Sequence, residues 1–400
     1  MVLHQKCQFI GSINRQYDDR FAVDGAKIGQ TLNIRMPPKY TVRTGAAASE
    51  QDHVERSTPL AVTNQVGVDV TWSSVDLTMS MDDFRERHIE PSMAQLAAHL
   101  ENDALTQSYK LANNYNGVTN AQLDYRKFRE MGANLTKELA PPTNRTALLS
   151  VDSVTEFGDA VKGLFQDSGE IAKQYKEGMM GRTGGMDVME TTLMPTHTRG
   201  TLAGSPLTNG ADQGVSATTN TWAATSSIIV DGATAGTTLA AGDILTFAEV
   251  YDVHPETKIR RGELKKFVVQ TDVTLTGGAG TVVIKPALIH GPGNAYQNCT
   301  ITVGGGATTD GRALVAFGVA SATYKQDMSY HKDAFVFATA DLIDVSTLGA
   351  WGARESYDGI SMRLGKQWSA STDSVITRFD VLYGVGGLYP ELANRHFSAL

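Results

Sequence analysis

From Gly200 to residue 325 the chain loses almost all helical periodicity. Short runs of Val, Ile, Leu and Thr alternate there with DGATAG, TGGAG, GPGN and GGGATTDG. Strands at that spacing, punctuated by turn signals, make a sandwich or a barrel. Within the block, GDILTFAEVYDVHPETKIRRGELKKFVVQ (Gly242–Gln270) reads as two strands joined by a charged turn. The flanking sequence is different, because both ends mix helical and strand patterns. A β-rich block inside a mixed chain is an independent module inserted between two strands of a host domain. Such insertion works where the host's two ends lie close together at the surface. The expected class is therefore α+β, with an all-β sandwich or barrel inserted at residues 201–325.

The host can be read element by element. Residues 1–35 are polar with weak periodicity, an extended arm ending in a strand at Thr31–Arg35. An arm that cannot bury its own face must lie on the same fold or on a neighbouring subunit. Next comes a long excursion, Met36–Met79. Val66, Val68, Val70 and Trp72 alternate in period two, as do Tyr40 and Val42, while the middle, Gly45 to Ser57, is small and charged. Two strands alone are marginal in water, so this hairpin is expected to lean on another chain, the alternative being a flexible surface loop. A helical pattern follows from Asp82 to Asn113, with Ser80 and Asp83 as a capping box. Over that span a helix would reach about 48 Å. Pro91 interrupts it, which predicts a short leading turn and a main helix from near Pro91. A second helix fits Asn120 to Leu139. RTALLSV is a buried strand, and DSVTEFGDAVKGLF is a helix with Asp152 as N-cap. A Gly-rich turn then leads into a strand from Met186. Mixed structure resumes at Tyr330, and Val375, Arg378, Val381 and Tyr383 sit in strand-like stretches.

Composition narrows the function. A chain of 400 residues suggests two or three units. The net charge of −8 comes without a basic stripe, which argues against gripping nucleic acid through phosphates. Arg260-Arg261 and Lys265-Lys266 are doublets, read as solvated hairpin positions. Two cysteines, Cys7 and Cys299, make no disulfide framework and point to a reduced, cytosolic folding site. No signal peptide and no apolar run of the roughly 20 residues a membrane helix needs is present.

Catalytic chemistry is not visible. The nine histidines form no HExxH or Cys/His metal spacing. His88 and His99, eleven apart, read as surface or packing positions. GMMGRTGG (Gly178–Gly185) lacks the ending of a phosphate loop and reads as a turn, as does GGGATTDG (Gly304–Gly311). Asp341 and Asp344 are paired in sequence only, and no Gly-x-Ser-x-Gly elbow occurs. No catalytic residue, cofactor or metal ligand is assigned.

The order N-arm, long hairpin, long helix, α+β domain resembles the major capsid (coat) protein of tailed bacteriophages, with the Hong Kong-type capsid fold. It is most similar to the podovirus-like branch with an inserted β-barrel domain. GRTGGMDVMETTLMPTH (Gly181–His197) is similar to the stretch ending the first half of that family's central domain. YHKDAFVFATADL (Tyr330–Leu342) resembles its return strand, and RFDVLYGVGGLYPELANRH (Arg378–His396) its closing strand and C-terminal turn.

The resemblance implies a shell subunit that self-assembles as hexamers and pentamers into an icosahedral capsid around phage double-stranded DNA, bound without sequence specificity. It implies an N-terminal arm (1–35), an extended loop hairpin (36–79), a peripheral domain with spine helix (80–139), an axial domain (140–200 and 326–400) and the inserted domain (201–325). Inter-subunit contact is expected from Lys39, Arg43, Glu50, Asp52, Glu55 and Arg56 in the loop. Only some 35 residues precede the hairpin, so a separate scaffolding protein is expected. A portal protein at one vertex and a decoration protein are further implied partners, with no membrane. The subunit would be made in the bacterial host cytoplasm and end in the virion. The competing readings are an encapsulin-like nanocompartment shell and a β-rich adhesin.

Overall fold

The computed structural model describes residues 7–18, 31–48, 50–51, 53–73, 89–116, 122–161, 181–211, 213–217, 219–301, 310–343, 345–348, 351–357 and 359–398. The Ser80–Asp83 cap, the turn leading to Pro91, His88, Asp52, Asp344 and Gly304–Thr309 lie outside them. The chain forms two compact units. One comprises Met1–Ile34, Pro59–Ser108 and Phe335–Leu388, the other Arg35–Thr58, Tyr109–Ala334 and Tyr389–Leu400. The stretch 326–400, expected as one part of an axial domain, is divided between them.

The first unit is organised by the long strand Ser374–Gly387. One of its edges pairs with Ile360–Ser369 and then with Phe335–Ala340; Asn64–Ser73 runs antiparallel along Ser374–Tyr383. Trp351–Tyr357 extends the sheet beyond Ile360–Ser369, and Asn14–Asp18 adds in parallel to Phe335–Ala340. The period-two pattern of Val66 to Trp72 is thus a strand of this sheet, not one arm of a two-stranded hairpin. Its expected partner, Tyr40–Val42, carries no strand. The reason is local: Pro37 and Pro38 follow the strand Thr31–Met36 and have no N–H to continue a ladder.

The described part of the N-terminal arm, residues 7–18, lies on its own fold. Helix α1 (Gln8–Ser12) buries Phe9 and Ile10, whose backbone N–H groups donate to the Glu101 carboxylate. Glu101 stands on α2 (Glu90–Tyr109), which carries Pro91 in its first turn, where the missing N–H costs nothing. Met93, Leu96, Ala97, Leu100 and Ala104 keep 3-4 spacing and are buried. The helix stops at Tyr109, before the expected Asn113. Asparagines are weak helix formers, and these bond elsewhere: Asn113 donates to the Lys266 carbonyl at 3.0 Å and Asn114 to the Glu391 carbonyl at 2.9 Å.

In the second unit, a sheet in the order Asn114–Asn116, Ala393–Ser398, Thr323–His331, Arg145–Ser150, Met186–Thr191, Arg182–Thr183 carries two helices. Helix α3 (Tyr125–Lys137) is capped by Asp124, which accepts from Lys127 N at 2.7 Å. It ends where Leu139 turns into the left-handed region at φ 64° and Pro141 follows. Helix α4 (Val151–Val161) is capped by Ser150, whose hydroxyl accepts from Ser153 N at 3.3 Å. The expected cap, Asp152, sits inside the first turn and pairs with Lys325 instead. Phe128, Met131, Leu135 and Phe157 pack on Ala147, Leu149 and Met186.

The β block is an antiparallel array in the order Gly204–Thr208, Ser226–Ala233, Gly280–Lys285, Arg260–Val269, Ile244–Val253, with Cys299–Ile301 and Leu314–Ala316 both on Ile244–Val253. Its two ends meet: Leu207 bridges Ala313, and Thr208 N donates to the Arg312 carbonyl at 2.9 Å. The array thus curls back on itself at this point. Inside lie Ile228, Val230, Leu245, Phe247, Phe267, Val282 and Ile284, each side chain contributing about 1.5–3 kcal/mol on burial. Entry and exit of the block lie side by side, because Thr196–Thr198 pairs antiparallel with Thr323–Lys325.

Candidate functional site: a surface limb rooted on the β block

Between the strands Thr31–Met36 and Arg56–Ala61, which pair as a two-stranded sheet, the chain leaves as a limb of residues 37–55. Among the described residues, no backbone ladder holds its two arms together. Side chains do so. The Gln51 amide brackets Thr41, accepting from its N–H at 2.8 Å and donating to its carbonyl at 2.6 Å. Tyr40 Oη lies 3.1 Å from His53 Nδ1. The tip turns at Gly45, whose φ of 99° suits a residue without Cβ. The Arg43 guanidinium closes that turn by donating to the carbonyls of Gly45 and Ala47. Tyr40 is 60% exposed and Val42 is 95% exposed.

The six residues assigned to the limb from sequence therefore divide. Arg43 and Glu50 are exposed at the tip. Glu55 is exposed and faces Arg35 at 3.9 Å and His53 at 4.0 Å. Asp52 lies outside the described residues. Lys39 and Arg56 sit at the root. Arg56 is only 7% exposed, and its guanidinium donates twice to the Pro37 carbonyl, at 3.2 and 2.9 Å. The same guanidinium stands 5.3 Å above the ring of Tyr296, from the β block.

Cations crowd the root. Burial pushes the Lys39 amine below its ordinary value; Glu391 opposes this, and Arg56 adds to it. Burial, then Lys39, Lys265 and Arg56, bring the Lys258 amine down to about 8. Lys258 answers with bonds to two carbonyls, Pro255 at 2.7 Å and Gln297 at 3.0 Å.

A charged seam runs where the β block meets the end of α3. Lys265 Nζ lies 2.8 Å from Asp252 Oδ1; Arg261 Nη1 lies 2.7 Å from Asp252 Oδ2 and 3.3 Å from Glu138 Oε1. Burial alone would lower the Lys265 pKa, but Glu138 and Asp252 more than offset it and hold the amine charged. This corrects the solvated reading for the buried Lys265 and the half-buried Arg261 and Lys266, while Arg260 is exposed as expected. In a strand, neighbours face opposite ways, so Lys265 is buried in the seam, and Arg260 lies outward with its guanidinium 3.5 Å over the Tyr251 ring.

At the neck of the block, His197 Nε2 lies 2.8 Å from Asp243 Oδ1, and Asp243 also accepts from Gly200 N and Ala240 N. The buried Arg395 donates to the Gly242 carbonyl at 2.8 Å. Tyr296, Gln51 and the neck trio carried no sequence signal, since their partners are distant or irregular in spacing. Among the described residues no His, Cys, Asp and Glu cluster could hold a metal, and no helix is long and apolar enough to cross a membrane. Asp341 is taken up by Ser361 and by Arg354 at 3.3 Å. Gly184 and Gly185, at φ 60° and 87°, form the tight turn between Arg182–Thr183 and Met186–Thr191.

An exposed limb, a β block with adjacent ends and a mixed host sheet are the parts that the comparisons with known proteins place. A family model described as "P22 coat protein - gene protein 5" matches residues 25–398. The chain belongs to the P22 coat protein family: it is a major capsid protein of the tailed-phage type, a subunit of the virion shell. That assignment decides against the nanocompartment and adhesin readings. Among solved structures, the chain is similar to one titled as the asymmetric unit of the bacteriophage PhiM1 mature capsid, at 10% identity and TM-score 0.47, covering 97% of this chain and 86% of that one. It is similar to the capsid of Cyanophage P-SCSP1u at 11% identity and TM-score 0.45, covering 97% and 89%. A SrpI encapsulin complex from Synechococcus elongatus follows at 7% identity and TM-score 0.36, covering 96% and 84%. Likenesses at these TM-scores carry no weight beside the family match. No curated protein sequence matches the chain.

Proposed function

We propose that residues 37–55 are the surface by which one subunit engages the next in the hexamers and pentamers of the shell. The carrying observation is the exposure of Val42 and Tyr40 on a limb that is nevertheless held in one shape by Gln51, His53 and Arg43. A shaped, exposed apolar pair is costly to a lone subunit and useful to a tiling one. Burying each of these side chains on a neighbour contributes about 1.5–3 kcal/mol, and many such contacts add across a lattice. The charged tip residues Arg43 and Glu50, with Asp52 and Glu55, set register between copies.

The remaining parts take roles by the same logic. Residues 201–325 are the inserted barrel domain. Helix α2 and the sheet around Ser374–Gly387 form the peripheral part, and the sheet around Arg145–Ser150 forms the axial part. The subunit is structural and performs no catalysis. Its net charge of −8 suits a wall that encloses double-stranded DNA without clamping it. A separate scaffolding protein, a portal at one vertex and a decoration protein complete the particle, which is built in the host cytoplasm.

Val42→Glu tests the contact. The side chain is exposed, so the subunit should keep its unfolding midpoint while losing assembly, read by light scattering and electron microscopy. Shells formed as readily as by the parent chain would refute the proposal.

A further inference from the structure

The described residues of the limb form no ladder of their own, yet both of its arms meet at a single side chain of the β block. Tyr296 Oη accepts a hydrogen bond from Lys39 N at 3.1 Å on the outgoing arm. The same oxygen donates to the Val54 carbonyl at 3.0 Å on the returning arm. The Arg56 guanidinium covers the ring and ties back to Pro37, which closes the root across both arms. The Val54 side chain packs in the apolar cluster of Tyr296, Ile289, Val215 and Trp222. Beyond residues 39 and 54, the bonds described above run within the limb.

Tyr296 is itself held rigidly. Its N–H donates to Asn294 Oδ1 at 2.9 Å, and Asn294 Nδ2 donates to the Thr221 carbonyl at 3.0 Å. Asn298 spans the base of the loop, accepting from Ile289 N at 3.1 Å and donating to the Ala287 carbonyl at 2.6 Å. Gly291 lets the loop close, since a Cβ there would stand 1.9 Å from the Ala217 carbonyl oxygen.

We infer that Tyr296 is a positioning residue for self-assembly: the β block, through this one side chain, sets the angle at which the limb is presented to a second copy of the chain. The inference rests on the limb being the contact surface. A phenol serves here because one oxygen can accept from one arm and donate to the other, while its ring supports the Arg56 cation. The barrel then does more than fill space, because the limb points correctly only when the block is folded and docked.

The test uses Tyr296→Phe, which keeps the ring and the packing and removes both hydrogen bonds. Arg56→Met, which keeps the stem and removes the tie to Pro37, is the second variant. Hydrogen exchange of the free subunit should rise about tenfold in the peptide covering residues 37–56, the factor expected for a lost hydrogen bond. The rest of the β block should keep its protection. The assembled product should change from uniform shells to particles of mixed diameter and open sheets, counted by electron microscopy. Unchanged limb exchange in both variants would overturn the clamp. Faster exchange with uniform shells would overturn the positioning role. Val42→Glu separates this from the underlying reading: if it also assembles normally, the limb is not the contact. If it fails to assemble while Tyr296→Phe makes uniform shells, only the present inference falls.

Discussion

Asp252→Ala should unlock the seam between the β block and α3. Asp252 is 8% exposed and Lys265 6%. The carboxylate uses one oxygen for Lys265 at 2.8 Å and the other for Arg261 at 2.7 Å. Removing it strands the Lys265 ammonium in the interior with Glu138 as the remaining nearby carboxylate. Breaking a buried pair by deleting one partner costs about 3–5 kcal/mol, chiefly because the other charge stays buried. Arg261 retains Glu138 at 3.3 Å, which places the expected loss toward the lower end. With a urea m-value of about 2 kcal/mol/M, 3 kcal/mol moves the unfolding midpoint down by about 1.5 M. Trp222 is the only tryptophan in residues 201–325. Its fluorescence, with Trp72, Trp351 and Trp368 replaced by Phe, would follow the block alone. Lys265→Met should cost less, because Asp252 keeps Arg261. The double variant Asp252→Leu with Lys265→Met should recover most of the loss, since replacing a buried pair by apolar residues of similar volume is close to neutral. A midpoint for Asp252→Ala within 0.3 M of the parent (taken as roughly the resolution of a linear extrapolation), or a double variant no better than the single, would refute the reasoning.

Acid should loosen the neck. Burial lowers the His197 pKa, with Arg395 adding and the Asp243 hydrogen bond opposing, so the unfolded chain takes up the proton first. This contribution is complete above the unfolded value of about 6.5 and is lost as pH falls below it. The urea midpoint should therefore drop below pH 6.5, and His197→Gln should flatten that slope. His331, whose pKa burial also lowers, supplies the residual slope. Gly200→Ala should destabilise the neck by about 1–3 kcal/mol through overpacking, because its Cβ would stand 2.3 Å from the Thr238 carbonyl oxygen. Gly262→Ala, where a Cβ meets nothing within 4 Å, should be neutral in the same thermal scan.

Much of the local structure was legible in the residues. Strands Ile244–Val253 and Arg260–Val269 match the two strands and charged turn first read in Gly242–Gln270. Helix α2 starts at Pro91's turn, and Arg145–Ser150 is buried along its whole length. Each of these depends on spacing within a dozen residues, where period two or 3.6 separates one face from the other. The capsid reading came from resemblance to a known family and not from spacing, and the family match over residues 25–398 bears it out.

What the residues could not show is which surface each element meets. Val66 to Trp72 declared a strand, but its partner, Ser374–Tyr383, lies some 300 positions away, and alternation carries no address. Lys265 read as a solvent charge and Arg56 as an inter-subunit contact until Asp252, Glu138, Pro37 and Tyr296 were brought around them. Backbone sterics and hydrophobic period act between near neighbours, so the sequence alone determined the elements. Partner choice and the burial of charge are set by chain closure over hundreds of residues, so only the tertiary structure decided where the limb is rooted and what holds it.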